Sequence, residues 1–174
     1  TYCQTYTASQ LTATLTTGDS LRWYTVSAGG TYTTTAPTPS TTTPGVVTYY
    51  VSQAISATGC ESPRTAITVT VNPTPAVPTG TSNVTYCQFD AASALTATAA
   101  SGCTLRWYTV PTGGSFNTTA PTPGTSTIAV TTYYVSQINS FGCESPRVAV
   151  TVTVVAKPSA PSVTSPISYC QFAT

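Results

Sequence analysis

Apolar and threonine positions alternate along much of this chain. In Gln10 to Thr16, Leu11, Ala13 and Leu15 fall on one side and threonines on the other, the period of two that a half-buried strand presents. Thr65 to Val71 alternates in the same way, and Val46 to Gln53 is the most strand-like run of the first half. Leu21-Arg22-Trp23-Tyr24-Thr25-Val26 predicts a further strand, with Leu21 and Trp23 inward and Arg22 and Tyr24 outward. Gly18-Asp19, Gly29-Gly30 and Pro44-Gly45 are turn signals. Ala36-Pro37-Thr38-Pro39 should end a short edge strand over 31–35, because proline cannot donate to a ladder. No segment has a 3.6-residue apolar period, so helix is expected to be nearly absent.

The pattern occurs twice. Leu21 to Val26 returns letter for letter as Leu105 to Val110, and Tyr2-Cys3-Gln4 returns as Tyr86-Cys87-Gln88. Tyr49 to Gln53 returns at Tyr133 to Gln137, and Gly59-Cys60-Glu61-Ser62-Pro63-Arg64 at Gly142 to Arg147. The offset is 84 residues and falls to 83 past the stretch 54–58, where the first copy is one residue longer. A third copy begins at Tyr169-Cys170-Gln171. The chain is therefore expected to be a piece of a longer array. The expected division is a first repeat over 1–76, a Pro/Thr linker over 77–84, a second repeat over 85–159, and a linker with the start of a third repeat over 160–174. Seven or so short strands per repeat, with turns at regular spacing, predict an all-β fold of tandem sandwiches.

Composition narrows the function. Five basic and four acidic residues, with no histidine, leave a net charge of +1. Nucleic acid is therefore not an expected partner, since phosphate binding needs clustered Lys and Arg. No apolar run approaches a membrane span. An enzyme needs convergent ionisable groups, whereas Asp19, Glu61, Asp90 and Glu144 are the only carboxylates. No catalytic residues, no cofactor and no metal site are expected, because histidine is absent and no two cysteines have ligand spacing. The Pro-rich linkers should be semi-rigid.

The residues resemble an immunoglobulin-type domain. Leu11-Thr12-Ala13-Thr14 resembles the B strand, Leu21-Arg22-Trp23-Tyr24 the C strand and Thr48-Tyr49-Tyr50-Val51 the F strand. Ala13 and Val51 stand where the two core cysteines usually stand. The resemblance implies that Trp23 packs over Ala13 and Val51, with Tyr49 the candidate tyrosine corner; Trp107, Ala97, Val135 and Tyr133 form the second set. It also brings the chain's entry and the F-to-G turn to one pole, so that Cys3 is expected to bond Cys60, and Cys87 to bond Cys143. Each such bridge would stabilise its unit by about 4 kcal/mol. Cys103 and Cys170 are left over. Cys103 can compete with Cys87 for Cys143, bond another chain or stay free, and Cys170 would await a partner in a third unit.

More specifically, the ordered motifs Y-C-Q, L-T-A-T, L-R-W-Y-T, G-G, T-P, Y-Y-V-S-Q, G-C-E-S-P-R and T-V-T-V resemble the Ig-like repeats of large Bacteroidota surface proteins, including gliding-motility adhesins and other type IX-secreted proteins. That resemblance implies an extracellular stalk or filament at the bacterial cell surface, whose partners are neighbouring repeats, other copies in a filament, or surface glycans. Tyr24, Tyr50, Tyr108 and Tyr134 are the candidate rings for stacking on a sugar, although cross-strand packing also uses such rings. Asp19-Ser20-Leu21 resembles the O-glycosylation pattern of this bacterial group, making Ser20 a candidate acceptor. Glu61 with Arg64, and Glu144 with Arg147, are expected to be local ion pairs across a Ser-Pro turn. In a polymer of separate subunits, the stub 167–174 would serve as a donated strand.

Overall fold

The computed structural model describes residues 1–163 and 171. Its strands are β1 (Tyr2–Cys3), β2 (Asp19–Tyr24), β3 (Gly45–Ile55) and β4 (Thr65–Asn72), then β5 (Val84–Cys87), β6 (Thr104–Tyr108), β7 (Ala129–Ile138) and β8 (Val148–Val155). They form two four-stranded sheets, one in each repeat, ordered β1-β4-β3-β2 and β5-β8-β7-β6. The opening strand of each sheet runs parallel to the closing strand, and the other pairs are antiparallel. The described residues contain no helix.

Register follows from which alternate residues are apolar. Trp23 lies opposite Val51 and Tyr49 opposite Ile67; Trp107 lies opposite Val135 and Tyr133 opposite Val150. A slip by one residue would turn every one of these side chains to the other face. Trp23 and Trp107 are 2% and 3% exposed. In the second repeat Leu95, Trp107, Val135, Val150 and Val152 form one buried cluster, with Ala97 and Tyr133 packed against it. Ala13 and Tyr49 of the first repeat are half-buried. Among the described residues neither Tyr49 nor Tyr133 anchors backbone through its hydroxyl. Tyr2 and Tyr86 do so instead, accepting from Ser9 N and Ser93 N at 3.3 Å each.

Four strands per repeat make ladders, and the layer facing them is extended chain without one. Leu11 N donates to Pro37 O and Leu95 N to Pro121 O, at 2.9 Å each. The ladder does not propagate from these points, because the facing segments carry Pro37 and Pro39, or Pro121 and Pro123, which have no N–H to return. Alternation thus reports the covered side for Leu11 and Ala13 without a strand having formed, and it fails at Leu15, which is 45% exposed. The expected edge strand over 31–35 shrinks to one bridge, Trp23 to Thr33, matched by Trp107 to Asn117. The hairpin leading to it needs Gly29 and Gly30, both at positive φ. A Cβ on Gly30 would come within 2.8 Å of Val26.

Candidate functional site

Two constellations stand out, and the repeat motifs build both. The first lies on the outer face of each sheet. In an extended chain, residues three apart are separated by about 10 Å, whereas cross-strand neighbours are about 5 Å apart. Glu61 therefore meets neighbouring strands rather than Arg64. One carboxylate oxygen accepts from Tyr24 Oη and Ser52 Oγ at 2.5 Å each, and the other accepts from Arg22 Nη1 at 2.8 Å. Glu144 repeats this with Tyr108, Ser136 and Arg106 at the same distances. The expected Glu61–Arg64 and Glu144–Arg147 pairs are replaced by these networks. Arg64 and Arg147 instead lie 3.2 Å over the rings of Tyr24 and Tyr108. They also donate to the hairpin carbonyls of Val26 and Val110 at 2.7 Å.

Hydrogen bonds from Ser52, Tyr24 and Arg22 hold the Glu61 carboxyl at about 2. Burial pushes the Glu144 carboxyl up, but the bonds from Ser136, Tyr108 and Arg106 outweigh it and leave it below its ordinary value. These networks occupy the rings singled out for sugar stacking. Tyr24 and Tyr108 are 5% and 4% exposed, each covered by an arginine and spent on a glutamate. Tyr50 and Tyr134, their cross-strand partners, are half-buried. Ser20 is half-buried with its hydroxyl donating to Ala54 O at 3.3 Å.

The second constellation is the joint between the repeats. Beyond β7, Asn139 folds the turn 139–143: its Oδ1 accepts from Phe141 N at 3.1 Å and Cys143 N at 3.0 Å. This side-chain mimic of a backbone turn aims Cys143 at the preceding repeat. There the chain enters through β1, whose Cys3 lies beside Asn72, the last residue of β4. Cys3 and Cys143 form a disulfide, with Cα atoms 5.4 Å apart across a sequence separation of 140 residues. This bond corrects the expected Cys3–Cys60 and Cys87–Cys143 staples. Cys60, Cys87 and Cys103 are free thiols. The physical reason is the register: Cys3 lies beside Asn72 at the end of β4, whereas Cys60 lies in the turn between β3 and β4 at the opposite end of the sheet, roughly 20 Å away along the strand. The chain's entry and that turn therefore do not share a pole, and the linker brings the matching turn of the second repeat to Cys3 instead. Cys170 and the stub 167–174, Gln171 excepted, lie outside the described residues.

Prolines suit this linker, because they remove donors that a covered segment would have to satisfy. The remaining carbonyls are used. Asn139 Nδ2 donates to Pro73 O at 2.9 Å and Gln137 Nε2 to Ala76 O at 2.7 Å. Thr74 Oγ1 ties the same stretch to Gln4 O at 2.9 Å. Further along, Thr79 bridges Thr98 and Asn83 Oδ1 accepts from Thr151 N at 2.8 Å. The linker is thus fastened to both repeats. No group of three or more His, Cys, Asp or Glu is placed to hold a metal among the described residues.

A family model described as "Ig-like domain CHU_C associated" matches residues 1–73 and again 75–155. The chain belongs to that family. It is an all-β tandem of Ig-like sandwiches, and the residue between its two matches, Thr74, is the one that ties the linker to Gln4. No curated protein matches it. Among solved structures it is similar to the SGBP-B protein of the Bacteroides ovatus mixed-linkage glucan utilization locus in complex with a mixed-linkage heptasaccharide. Identity is 11%, the TM-score is 0.30, and the match covers 87% of this chain and 42% of that one. It is also similar to Drosophila N-cadherin EC1-4, at 10% identity and a TM-score of 0.29, covering 88% and 48%. The chain spans less than half of either, and neither superposes closely enough to bear on function.

Proposed function

We propose that this chain is a structural segment of an extracellular adhesin stalk or surface filament of a bacterial cell, of the type IX-secreted, gliding-motility adhesin kind, and that it has no catalytic role. One observation carries the reading: the Cys3–Cys143 bond joins two repeats instead of closing one. A bond inside a unit protects that unit. A bond across the boundary fixes how one unit follows the next, which matters to a fibre and not to a free-standing binding module. The doubly fastened, proline-rich linker supports the same reading, as does a surface with few charges.

Force–extension measurement on the single chain, held at its two ends, tests this. In the oxidised chain the 140-residue separation is closed by the disulfide, so that stretch should add no length. Reduction should then release roughly 460–500 Å more. Equal extension before and after reduction would remove the load-bearing reading. A glycan array provides the opposing arm: selective binding would make the chain a ligand-binding module.

A further inference from the structure

The joint uses one cysteine from each repeat and leaves one of each kind over. Cys3, from the Tyr-Cys-Gln motif of the first repeat, bonds Cys143, from the Gly-Cys-Glu motif of the second. Cys87 is the Tyr-Cys-Gln cysteine of the second repeat and Cys60 the Gly-Cys-Glu cysteine of the first, and both are free. Their settings match those of the bonded pair. Cys87 lies beside Val155 at the end of β8 just as Cys3 lies beside Asn72 at the end of β4. Cys60 O accepts from Ile55 N at 2.9 Å as Cys143 O accepts from Asn139 N at 3.0 Å.

A second, independent observation concerns what covers the two poles. Cys143 is fully buried beneath the linker, whereas Cys60 is exposed. Gln137 spends Oε1 on Ala100 N and Nε2 on Ala76 O. Gln53 spends Oε1 on Thr16 N in the same way, and its Nε2 has no partner among the described residues. The neighbouring Ile55 is 46% exposed. The first repeat therefore presents a free thiol, an unused amide donor and an exposed apolar side chain where the second repeat receives a proline-rich linker. Ile55 replaces Asn139, so one amide contact would be lost there and apolar cover for the linker prolines gained.

We propose that Cys60 and Cys87 are the two halves of this same inter-repeat disulfide: Cys60 takes the Tyr-Cys-Gln cysteine of a unit preceding it, and Cys87 the Gly-Cys-Glu cysteine of a unit following it. The partner of each is a further repeat of this type. The proposal rests on the array reading above and goes further: every unit is bonded to both neighbours. Because Cys87 lies inside the loop closed by Cys3 and Cys143, successive loops overlap, and no repeat can be pulled out without opening a disulfide. Each bond forms by exchange with a small disulfide such as oxidised glutathione. One thiolate attacks it, giving a mixed disulfide and one glutathione thiol; the second protein thiolate then attacks the mixed disulfide and expels the other. Two protein thiols are oxidised, one glutathione disulfide is reduced to two thiols, and two protons pass to them.

The test joins residues 1–167 to Thr1 of a second complete copy, which keeps the repeat in phase, with Cys103→Ser in both copies, Cys60→Ser in the first, and Cys87→Ser and Cys170→Ser in the second, so that one Cys60 and one Cys87 remain. After folding in a glutathione redox buffer, free thiols are alkylated and disulfides mapped by non-reducing peptide mass spectrometry. The expected new bond links Cys87 of the first copy to Cys60 of the second, beside Cys3–Cys143 in each. Recovery of those two cysteines as alkylated thiols or glutathione adducts, with Cys3–Cys143 intact, overturns the proposal and leaves the stalk reading standing. Bonds closed within single repeats overturn both.

Discussion

The two repeats carry the same motif at the same pole, yet the poles differ. In the second, Cys143, Gln137 and Ser145 are all buried; in the first, Cys60 is exposed and Gln53 and Ser62 are half-buried. The difference lies mainly in the neighbour, since the linker lies over one pole and not the other. Burial at this pole is a property of the array, and a repeat considered alone is unfinished at one end. The outer-face network of Glu61 and Glu144 is, by contrast, the same in both. Each repeat completes that part by itself.

The sharpest way to break the comparison is to cut the bond at one pole and the matching thiol at the other. Cys143→Ser should lower stability by about 2–5 kcal/mol, because it frees a long loop in the unfolded chain. Cys60→Ser should stay within about 0.5 kcal/mol, as surface changes usually do. Urea midpoints of the two variants decide it, and equal losses would mean that the poles are not different. The buried amide comes next. Gln137→Ala leaves Ala100 N and Ala76 O without their partners, at about 1–3 kcal/mol, whereas Gln53→Ala releases only Thr16 N and should cost less than half as much. Comparable costs would show that the linker does not depend on that amide.

Much of the sandwich was legible. The strands over Leu21 to Tyr24 and Val46 to Gln53 follow from alternation and the repeat, and the placing of Trp23 with Val51 follows from the immunoglobulin resemblance. Three things were not legible, for physical reasons. Alternation records the covered side for Leu11 and Ala13 but not for the exposed Leu15, and a ladder needs donors on the facing segment that Pro37 and Pro39 do not supply. The cysteine pairing is ambiguous in any tandem repeat, since bonding within a unit and bonding to the next unit draw on the same two motifs. What decides is the parallel pairing of β1 with β4, which puts Cys3 at the opposite end of the sheet from Cys60 and which alternation does not reveal. Asn139, which stands where the first repeat has Ile55, was the one signal in the sequence that the second pole receives something polar. The Glu61–Arg64 pairing failed because closeness along an extended chain is not closeness in space, and Glu61 finds Arg22 across the sheet instead.

Acid should act on both repeats through the part they share. The Glu61 carboxyl titrates at about 2 when folded and near 4.3 when unfolded. Its contribution is therefore fully present above the unfolded value and is lost as pH falls towards 2. Glu144 shifts in the same direction. Melting temperature should be flat from pH 8 to 5 and fall below about pH 4.5, with Glu61→Gln and Glu144→Gln each flattening part of that fall. A loss confined to one of the two variants would show that the networks are not equivalent.

The smallest expected effect concerns how the linkers leave their repeats. Thr74 and Lys157 occupy equivalent positions, two residues past Asn72 and Val155. Thr74 ties its linker to Gln4 O, and Lys157 pairs with Asp90 at 2.7 Å. The ion pair is exposed on both sides, so water and salt screen it, and Lys157→Ala should leave the urea midpoint unmoved. Thr74→Val removes one hydroxyl donor from a carbonyl that water can reach, and the loss should stay below about 1 kcal/mol. If the disulfide fixes the first joint, the two substitutions should be equally quiet. A clearly larger loss for Thr74→Val would transfer part of that joint's rigidity from the Cys3–Cys143 bond to the linker itself.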